Sequence, residues 1–488
     1  MLKNMKIKEI PMKFAGFRVI KKISAVLCVW GIFSAAVFAA DAKSTGKAQE
    51  TQKTTSAAKS QNPKVKFVQE LQSLLNSGKI DEAISSFDSL DEKLKDDEGL
   101  LMIKASLLIS AARTAEASEV LSRLEQKNPS NIDVLEMKII AAKAGGDKTK
   151  AQKNAAISKV LALDPNNTTA NIELAQENVL QRKYKTARTY YQKALVKSPE
   201  DQNALFGYGQ TSYYLNDIEE AKKAFNKMLE INPNDAIAYQ YLGKLEAEDD
   251  RYKYAVEYVQ KAIAIENDNY EFYMDLGMYS RFLGKFDDAE KAWTKAISIN
   301  PDYFLAYAYR AGLYDEQNKF DKALKDYRKV VETNPKYYFA YEALGILAWH
   351  EGNWDEARAS FEKAYSYNKE NVSYPLMIFA CWNKAGNYQK GKMFLETVMK
   401  GMSDKTTLAF QMIRMYHDMG PGNAETDIAL KIQKEDKTNV RGKMLYYFAL
   451  YYELKNKEQL ALKYYGEVKN MQSPMFFEYR LAEWSLEK

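Results

Sequence analysis

The chain has 488 residues, of which 46% are apolar and 28% are charged, with 22 glycines and 11 prolines. This apolar content excludes a disordered chain, and so little glycine and proline excludes a collagen-like or low-complexity one. The length exceeds what one hydrophobic core serves, so a multidomain or repeat protein is expected. The chain has 2 cysteines and 2 histidines. Two cysteines are too few for a disulfide scaffold, and two histidines leave few ligands for metal sites and few groups for histidine-based catalysis.

The formal net charge of +5 is carried by one end of the chain. Residues 1–40 have a net charge of +6, which leaves −1 for residues 41–488. A nucleic-acid-binding domain carries its cations on the binding surface, whereas this remainder is nearly neutral. The sequence therefore predicts no nucleic-acid partner.

The N-terminal segment has the pattern of an export signal. A basic stretch ends at Lys21 and Lys22 and is followed by the uncharged run ISAVLCVWGIFSAAVFAA over residues 23–40. A cationic start, an apolar helix and small residues before a cleavage site are what secretion requires. We predict a signal peptide over residues 1–40 and export to the periplasm or cell envelope of a bacterium. The alternative is an uncleaved anchor in the inner membrane, since this run is just long enough to span a bilayer.

Residues 41–63, DAKSTGKAQETQKTTSAAKSQNP, contain only small, polar and charged types apart from alanine. Such a segment cannot bury enough apolar surface to offset the entropy of ordering it. We predict a flexible polar linker that ends at Pro63.

From Lys64 onward, small residues recur with a period of 34. They stand at Ala83, Ala117, Ala187, Ala221, Ala255, Ala289, Ala323, Ala357 and Gly391. The one gap of 70 indicates a hidden repeat with two extra residues, for which Gly145, Gly146 and Asp147 are the obvious place. A second small column lies twelve residues before the first one, and it includes Gly209, Gly277 and Gly345. We expect the two helices of a hairpin to approach most closely where both carry a small residue.

The turns and breaks between the helices are also periodic. Short polar turns centred on Gly284, Gly352 and Gly386 are predicted to place a residue at positive φ between the two helices. Six of the eleven prolines follow an Asn, Asp or Ser at the end of the second helix, where proline cannot extend it. These are Pro129, Pro165, Pro199, Pro233, Pro301 and Pro335.

With these columns, the sequence resembles the tetratricopeptide repeat, as in AYQYLGKLEAEDDRYKYAVEYVQKAIAIE from Ala238 and WTKAISINP from Trp293. The resemblance implies an all-α fold, an α-solenoid of antiparallel helical hairpins wound into a right-handed superhelix whose first helices line a concave groove. The predicted solenoid covers residues 64–405, with the best-matching repeats at 98–371. Residues 406–488 are predicted to be degenerate helical repeats of the same kind.

The family binds proteins in this groove through the second, fifth, ninth, twelfth and thirteenth positions of each repeat. These positions are partly apolar here, and the Lys and Asn clamp for a C-terminal carboxylate is absent. We predict an extended or helical segment of a partner protein as the ligand. The predicted contact residues are Phe206, Tyr213, Tyr214, Met274, Met278, Phe282, Phe339, Ile346 and Trp349. The competing interpretation is that these side chains pack between adjacent units.

The sequence favours no catalytic chemistry, cofactor or metal site. The two histidines, His350 and His417, lie far apart, and Cys381 stands in an apolar stretch without a nearby histidine. Gly207 and Gly209 resemble the start of a phosphate-binding loop but lack its third glycine. We therefore expect a non-catalytic protein-binding scaffold of the cell envelope. The alternatives are a glycan- or peptidoglycan-binding module, and a structural protein that self-assembles as a homo-oligomer; a membrane contact is expected only through an uncleaved N-terminal segment.

Overall fold

The computed structural model describes residues 62–420 and 424–487. The predicted signal peptide and almost all of the predicted linker lie outside these residues. Within them, regular structure consists of α-helices and two short 3-10 turns, with no strand. The predicted all-α repeat solenoid is confirmed. None of the described helices is both long enough and apolar enough to cross a membrane.

The described residues divide into two compact units, the first up to Leu245 and the second from Glu246. The helices of the first unit are α1 (Pro63–Asn76), α2 (Ile80–Ser85), α3 (Glu98–Ser110), α4 (Thr114–Lys127), α5 (Ile132–Ala144), α6 (Lys150–Leu163), α7 (Thr168–Leu180), α8 (Tyr184–Lys197), α9 (Gln202–Tyr214) and α10 (Ile218–Ile231). Helix α11 (Ala236–Glu248) runs across the division.

The helices of the second unit are α12 (Tyr252–Ile265), α13 (Tyr270–Phe282), α14 (Phe286–Ile299), α15 (Phe304–Glu316), α16 (Phe320–Thr333), α17 (Phe339–His350), α18 (Trp354–Tyr367), α19 (Ser373–Lys384), α20 (Tyr388–Gly401), α21 (Leu408–Asp418), α22 (Ala424–Gln433), α23 (Thr438–Leu454), α24 (Glu458–Asn470) and α25 (Phe477–Leu486). In both units the odd-numbered helices up to α23 are the first helices of hairpins, and the even-numbered ones are the second helices.

The first helix, α1, begins at Pro63, the residue at which the predicted linker ends. The side chain of Asn62 accepts a hydrogen bond from the backbone N–H of Lys64 at 3.0 Å. Asparagine is a favoured N-cap, and proline is favoured at the first helical position because its missing N–H would have no partner there. Asn62 and Pro63, at the end of the predicted linker, therefore form the start of a helix.

The hairpin turns follow the predicted 34-residue period. From α7 to α20 each hairpin turn has three residues, and the middle one has positive φ. The middle residues are Arg182, Asn216, Asp250, Gly284, Asn318, Gly352 and Gly386. The predicted positive φ at the three glycines is confirmed, and the same backbone geometry is imposed on arginine, asparagine and aspartate at the other turns.

The two-residue insertion lies where the gap in the period placed it. Helices α5 and α6 are joined by residues 145–149, five residues in place of the usual three. Gly146 has a φ of +73°, and residues 146–149 form a 3-10 turn. The hydroxyl of Thr149 closes this turn by donating to the carbonyl of Gly146 at 2.9 Å.

In three hairpins, α9–α10, α13–α14 and α17–α18, an aromatic ring from the second helix is set against a glycine of the first. A β-carbon added at Gly209 would lie 2.8 Å from the ring of Phe225, and one at Gly345 would lie 3.0 Å from Phe361. Our expectation that the helices approach where both side chains are small is therefore incomplete. Glycine also makes room for a large ring on the facing helix, four residues beyond the small residue of that helix.

The predicted degenerate region is helical, and its first hairpin, α21–α22, is shorter than the hairpins from α3 to α20. Helices α21 and α22 have 11 and 10 residues, whereas α23 has 17. Met412 and Met415 of α21 are buried, at 0% and 4% exposure. Methionine fills irregular gaps because its side chain is unbranched and flexible, which accounts for its use where the repeat pattern is lost.

Candidate protein-binding surfaces

Four of the nine predicted contact residues lie in the core. Their exposed fractions do not exceed 8%, so they present almost no surface to a ligand. They are Tyr213 (2%), Met274 (6%), Ile346 (8%) and Trp349 (6%). These four side chains pack against neighbouring helices, as Trp349 does against Trp354 with ring centroids 4.9 Å apart, which favours the competing interpretation for them.

Two further predicted residues take part in ring stacking between adjacent repeats. Tyr214 stacks on Tyr184 with centroids 4.7 Å apart, and Phe282 stacks on Tyr252 at 4.6 Å. In each pair, the first residue of a second helix meets the last residue of the next first helix, 30 residues later. Offset or parallel ring pairs of this kind stabilise by about 0.5–1.5 kcal/mol beyond the area they bury. At these two positions the ring contacts favour the interpretation as packing between units, although Phe282 is still 43% exposed.

The remaining three predicted residues differ in their surroundings. Phe206 is half-buried, and its ring lies 5.5 Å from that of Tyr241. Met278 is also half-buried. Phe339 is 46% exposed, and it belongs to a surface that the groove positions alone did not predict.

This surface is a row of seven aromatic side chains in the second unit, which we call the aromatic row. Its members are Tyr270, Tyr303, Phe304, Tyr337, Tyr338, Phe339 and Tyr367. Successive ring centroids are 4.8 Å (Tyr270–Tyr303), 6.5 Å (Tyr303–Phe304), 5.1 Å (Phe304–Tyr337), 5.8 Å (Tyr337–Phe339), 4.1 Å (Phe339–Tyr338) and 5.8 Å (Tyr338–Tyr367) apart. The row therefore runs without a break across several repeats.

The row is most exposed at the end formed by α17 and α18. Tyr338, Phe339 and Tyr367 are 44%, 46% and 49% exposed. The hydroxyl of Tyr367 donates to the backbone carbonyl of Pro335 at 3.1 Å, which holds its ring beside the loop. Three large exposed rings in mutual contact are unusual on a soluble surface, because such patches are normally covered by a partner.

The row is electrically neutral. Burial raises the pKa of the phenols of Tyr270, Tyr303 and Tyr337 above the ordinary value. These groups therefore stay protonated at physiological pH and act as hydrogen-bond donors or acceptors without charge. A ligand at this surface meets apolar ring faces with scattered hydroxyl groups.

Sequence reasoning missed six of the seven members because they lie at or just before the start of first helices, or at the end of α18. Of the seven members, only Phe339 stands at a groove position of the repeat pattern. A usable signal was present: Tyr303 and Phe304 follow Asn300-Pro301, and the triplet at 337–339 follows Asn334-Pro335. Aromatics at the same offset after successive prolines must lie along one edge of a stack of hairpins.

The groove-facing positions of α13 and α15 carry charges that are already paired. Arg281 forms an ion pair with Glu316 at 2.7 Å. Asp315 forms an ion pair with Arg480 of the C-terminal helix α25 at 2.8 Å. Both ion pairs are formed within the second unit.

A polar cleft of about 230 Å³ lies in the first unit beside the inserted turn. Its walls come from α4, α5 and α6, and Glu125 is its main charged group. Glu125 pairs with Lys159 at 2.5 Å and with Lys138. Both lysines that line the cleft are therefore already paired with the one carboxylate.

Among the described residues, two kinds of chemical site, a metal cluster and a reactive thiol, are not found. Within residues 62–420 and 424–487, no group of three or more His, Cys, Asp or Glu side chains is placed to hold a metal ion. Cys381 is fully buried, and burial raises the pKa of its thiol far above the ordinary value. A thiol kept protonated is a poor nucleophile.

Family models identify the repeats. Models of the tetratricopeptide repeat match residues 179–245 in the first unit, and residues 274–337 and 310–372 in the second. Together with the 34-residue period and the helical hairpins, these matches show that the chain is a tetratricopeptide repeat protein. Proteins built from this repeat serve as scaffolds for protein–protein interactions. No curated protein sequence matches the chain.

Several solved structures of repeat proteins are similar to parts of the chain. MamA is 26% identical over 33% of this chain and 95% of its own, with a TM-score of 0.31. PilF of Pseudomonas aeruginosa is 18% identical over 42% of this chain and 93% of its own, with a TM-score of 0.38. A tetratricopeptide repeat protein from Parabacteroides merdae is 20% identical over 50% of this chain and 97% of its own, with a TM-score of 0.39. The family assignment rests on the repeat models and not on these structures.

Proposed function

We propose that this chain is a non-catalytic scaffold of the bacterial cell envelope, and that it binds a segment of a partner protein along the aromatic row. The observation that carries the proposal is the exposed end of the row, where Tyr338, Phe339 and Tyr367 are in ring contact and nearly half exposed. The membership of the chain in a protein-binding family supports it.

The chemistry of the row favours an extended segment with apolar anchors. Tyrosine and phenylalanine offer large contact areas while losing little side-chain entropy on binding. Rows of aromatic rings bind extended peptides, especially proline-rich ones, because the rings form shallow pockets between them. The neutral phenols add hydrogen bonds to peptide carbonyls without requiring a charged partner.

The envelope setting rests on the sequence of residues 1–40. Export would place the repeats outside the cytoplasm, with Cys381 as their single thiol. Fractionation of cells, followed by N-terminal sequencing of the isolated chain, tests this part. A mature chain that begins near Asp41 supports cleavage, whereas an intact chain in the cytoplasm contradicts export.

Site-specific photocrosslinking tests the binding surface. A photoreactive phenylalanine at position 338 or 367 is expected to crosslink a discrete protein in intact cells. Tyr254 is the matched control, because it is a 53% exposed tyrosine of the same unit that lies outside the row. Equal crosslinking from position 254, or none from either row position in a folded chain, contradicts the proposal.

The same exposed rings could stack on sugars, so a glycan is the second candidate ligand. Purified chain and purified peptidoglycan, without other proteins, distinguish the two. Retention by peptidoglycan that is lost in Tyr338→Ser/Phe339→Ser assigns the row to glycans. Retention that is unchanged in this variant, or absent altogether, leaves the protein segment as the ligand of the row.

A further inference from the structure

The basic residues after residue 40 are concentrated in one stretch of the first unit. Residues 145–197 contain ten lysines and arginines and four acidic residues, a net charge of +6. They include two successive second helices, α6 and α8, which have no Asp or Glu at all. Every other second helix, from α2 to α24, has at least one acidic residue. The excess of cations over two neighbouring repeats gives this part of the first unit a positive surface potential.

The acidic residues of this stretch are mostly engaged with other lysines. Three of them form ion pairs: Asp164 with Lys197 at 3.0 Å, Glu177 with Lys153 at 2.7 Å, and Glu173 with Lys143. The fourth, Asp147, is exposed in the inserted turn.

Six cations of the stretch are exposed and form no ion pair with a described residue, and we call them the basic face. They are Lys148, Lys150, Arg182, Lys183, Lys185 and Lys193. Two of them flank the start of α6 and three flank the start of α8. The two starts are neighbours, because the Lys153–Glu177 ion pair joins the first turn of α6 to the last turns of α7, which leads into α8. The basic face is therefore one continuous surface.

Arg182 stands in an unfavourable backbone conformation at the tip of its hairpin turn. Its φ is +57°, in the left-handed region that glycine and asparagine adopt most readily. Asn216 and Gly284 occupy the same place in other turns. The strained position holds an exposed cation that has no ion pair among the described residues, so its charge is available to a ligand.

Helix α8 presents an apolar side chain on the same side as its lysines. Val196 is 65% exposed. It follows Lys185 by eleven residues and Lys193 by three, spacings that keep the three side chains on one side of an α-helix. A helix face that combines lysines with an exposed apolar residue is typical of segments that bind at a membrane surface.

We propose that the basic face binds the surface of a membrane that contains anionic phospholipids, with Val196 entering the headgroup layer. Clusters of about four to eight lysines and arginines attract anionic lipids. The hairpin turns and the second helices form the outside of a solenoid whose groove is lined by the first helices. An outside surface meets a flat partner more readily than it encloses a single chain.

The composition of the basic face also favours lipid over a defined phosphate or carboxylate site. Five of its six cations are lysines. Lysine is a flexible point charge that suits a diffuse array of headgroups, whereas arginine forks suit one anion of fixed geometry. The basic face belongs to the first unit, so this proposal does not rest on the aromatic row of the second unit.

Sedimentation with vesicles tests the proposal. A chain of residues 41–488 is used, because it contains every described residue but not the apolar run 23–40, which inserts into lipid by itself if it acts as an anchor. Vesicles of phosphatidylglycerol mixed with phosphatidylcholine should carry the chain down, and vesicles of phosphatidylcholine alone should not. Added salt should release it, because ions screen exposed charges. Equal binding to both kinds of vesicle overturns the proposal.

A triple substitution assigns the binding to the basic face. Arg182→Asn/Lys183→Gln/Lys185→Gln removes three exposed cations, and asparagine suits the positive φ at position 182. This variant should bind the anionic vesicles at least about tenfold more weakly than the parent, since each cation near a membrane contributes to binding. Unchanged binding overturns the assignment.

The matched control removes the same charge in the second unit. It is the variant Lys319→Gln/Lys322→Gln/Lys325→Gln, at the start of α16. There Glu290 lies 3.8 Å from Lys319 and 3.5 Å from Lys322, so these lysines are not in a purely basic surface. The control should bind vesicles as the parent does. An equal loss in both triple variants would mean that only net charge matters and overturns the basic face as a site.

A fluorescent label tests whether Val196 enters the lipid. Cys381 is fully buried, so an environment-sensitive dye reacts with the new thiol of Val196→Cys. Its emission should shift to the blue on anionic vesicles. Met393→Cys is the control, because Met393 is 67% exposed but lies in the second unit. No shift at position 196 in a bound chain, or an equal shift at position 393, overturns the proposed orientation.

Other anionic partners give different outcomes. Binding of poly-glutamate or an oligonucleotide that is lost in the Arg182→Asn/Lys183→Gln/Lys185→Gln variant, without binding to any vesicle, overturns lipid in favour of an acidic chain. The variant Tyr338→Ser/Phe339→Ser of the aromatic row should bind vesicles as the parent does. The test of the basic face and that of the proposed function therefore fail independently.

Discussion

Glu478 is the residue whose environment conflicts most with its charge. It is fully buried, and its Oε1 atom accepts hydrogen bonds from the hydroxyls of Tyr447, at 2.9 Å, and Ser373. Burial raises its pKa above the ordinary value of 4.5, although Lys443 and the two hydroxyl donors act in the opposite direction. The folded chain therefore retains this proton to higher pH than the unfolded chain does.

The sign of the resulting pH dependence follows from linkage. Because the folded state binds the proton more tightly, the contribution of Glu478 to the free energy of unfolding is full below the ordinary pKa and is lost as pH rises through the raised value. We predict that Glu478→Gln raises the free energy of unfolding at pH 8 by about 1–3 kcal/mol, because no buried charge remains. Denaturant unfolding at pH 5 and pH 8 measures this.

The control for this prediction is Glu487→Gln, at an exposed position just after α25. It should leave unfolding unchanged at both pH values. If Glu478→Gln destabilises the chain equally at pH 5 and pH 8, the carboxyl is acting through its hydrogen bonds and not through its buried charge.

Among the elements, the α13–α14 hairpin shows how a glycine on one helix leaves room for a tryptophan ring from the other. A β-carbon at Gly277 would overlap the indole of Trp293, which is 1% exposed and donates from its ring N–H to the carbonyl of Met274 at 3.3 Å. The ring cannot withdraw without breaking this hydrogen bond. The spacing of glycine and ring therefore fixes how closely the two helices approach.

We predict that Gly277→Ala lowers the free energy of unfolding by roughly 1–3 kcal/mol through overpacking. Gly466→Ala is the matched control, because Gly466 lies inside α24 with nothing within 4 Å of an added β-carbon. That variant should gain up to about 1 kcal/mol from helix propensity. Urea unfolding of both variants measures these changes. An equal change in the free energy of unfolding of the two variants would mean that the ring of Trp293 moves aside without loss of stability.

At the scale of the molecule, each repeat contacts mainly its neighbours. Stability in such a chain is close to a sum of local terms, so unfolding need not be one concerted event. After residue 40, every tryptophan lies in the second unit, at positions 293, 349, 354, 382 and 484. Tryptophan fluorescence therefore reports on that unit, whereas helical circular dichroism reports on both.

We predict that the two signals give different denaturation midpoints in a chain produced without residues 1–40. Helices are lost from both units, but fluorescence follows only the second one, whose long-range contact between Arg480 and Asp315 ties late repeats to early ones. Coincident fluorescence and circular dichroism curves, with one steep transition, would show that the units unfold together.

The sequence was most informative where the physics is local. Positive φ at Gly284 and the insertion at Gly146 followed from spacing alone, because a hairpin turn is set by the few residues within it. The candidate site was less accessible. Tyr213 and Trp349 stand at groove positions of the repeat pattern but are buried, since exposure depends on which rings pack beside them. The pattern gives a position on a helix and not the size of the neighbouring side chains.

By itself, the sequence determined that this chain is a stack of helical hairpins, because each hairpin is specified by contacts within one period of 34 residues. Only the tertiary structure decided which aromatics remain exposed and that α25 docks on α15, α16 and α17. The contact between Asp315 and Arg480 joins residues 165 positions apart, and no periodic pattern marks it. This contact depends on the relative positions of the successive repeats between the two residues, which only the folded unit defines.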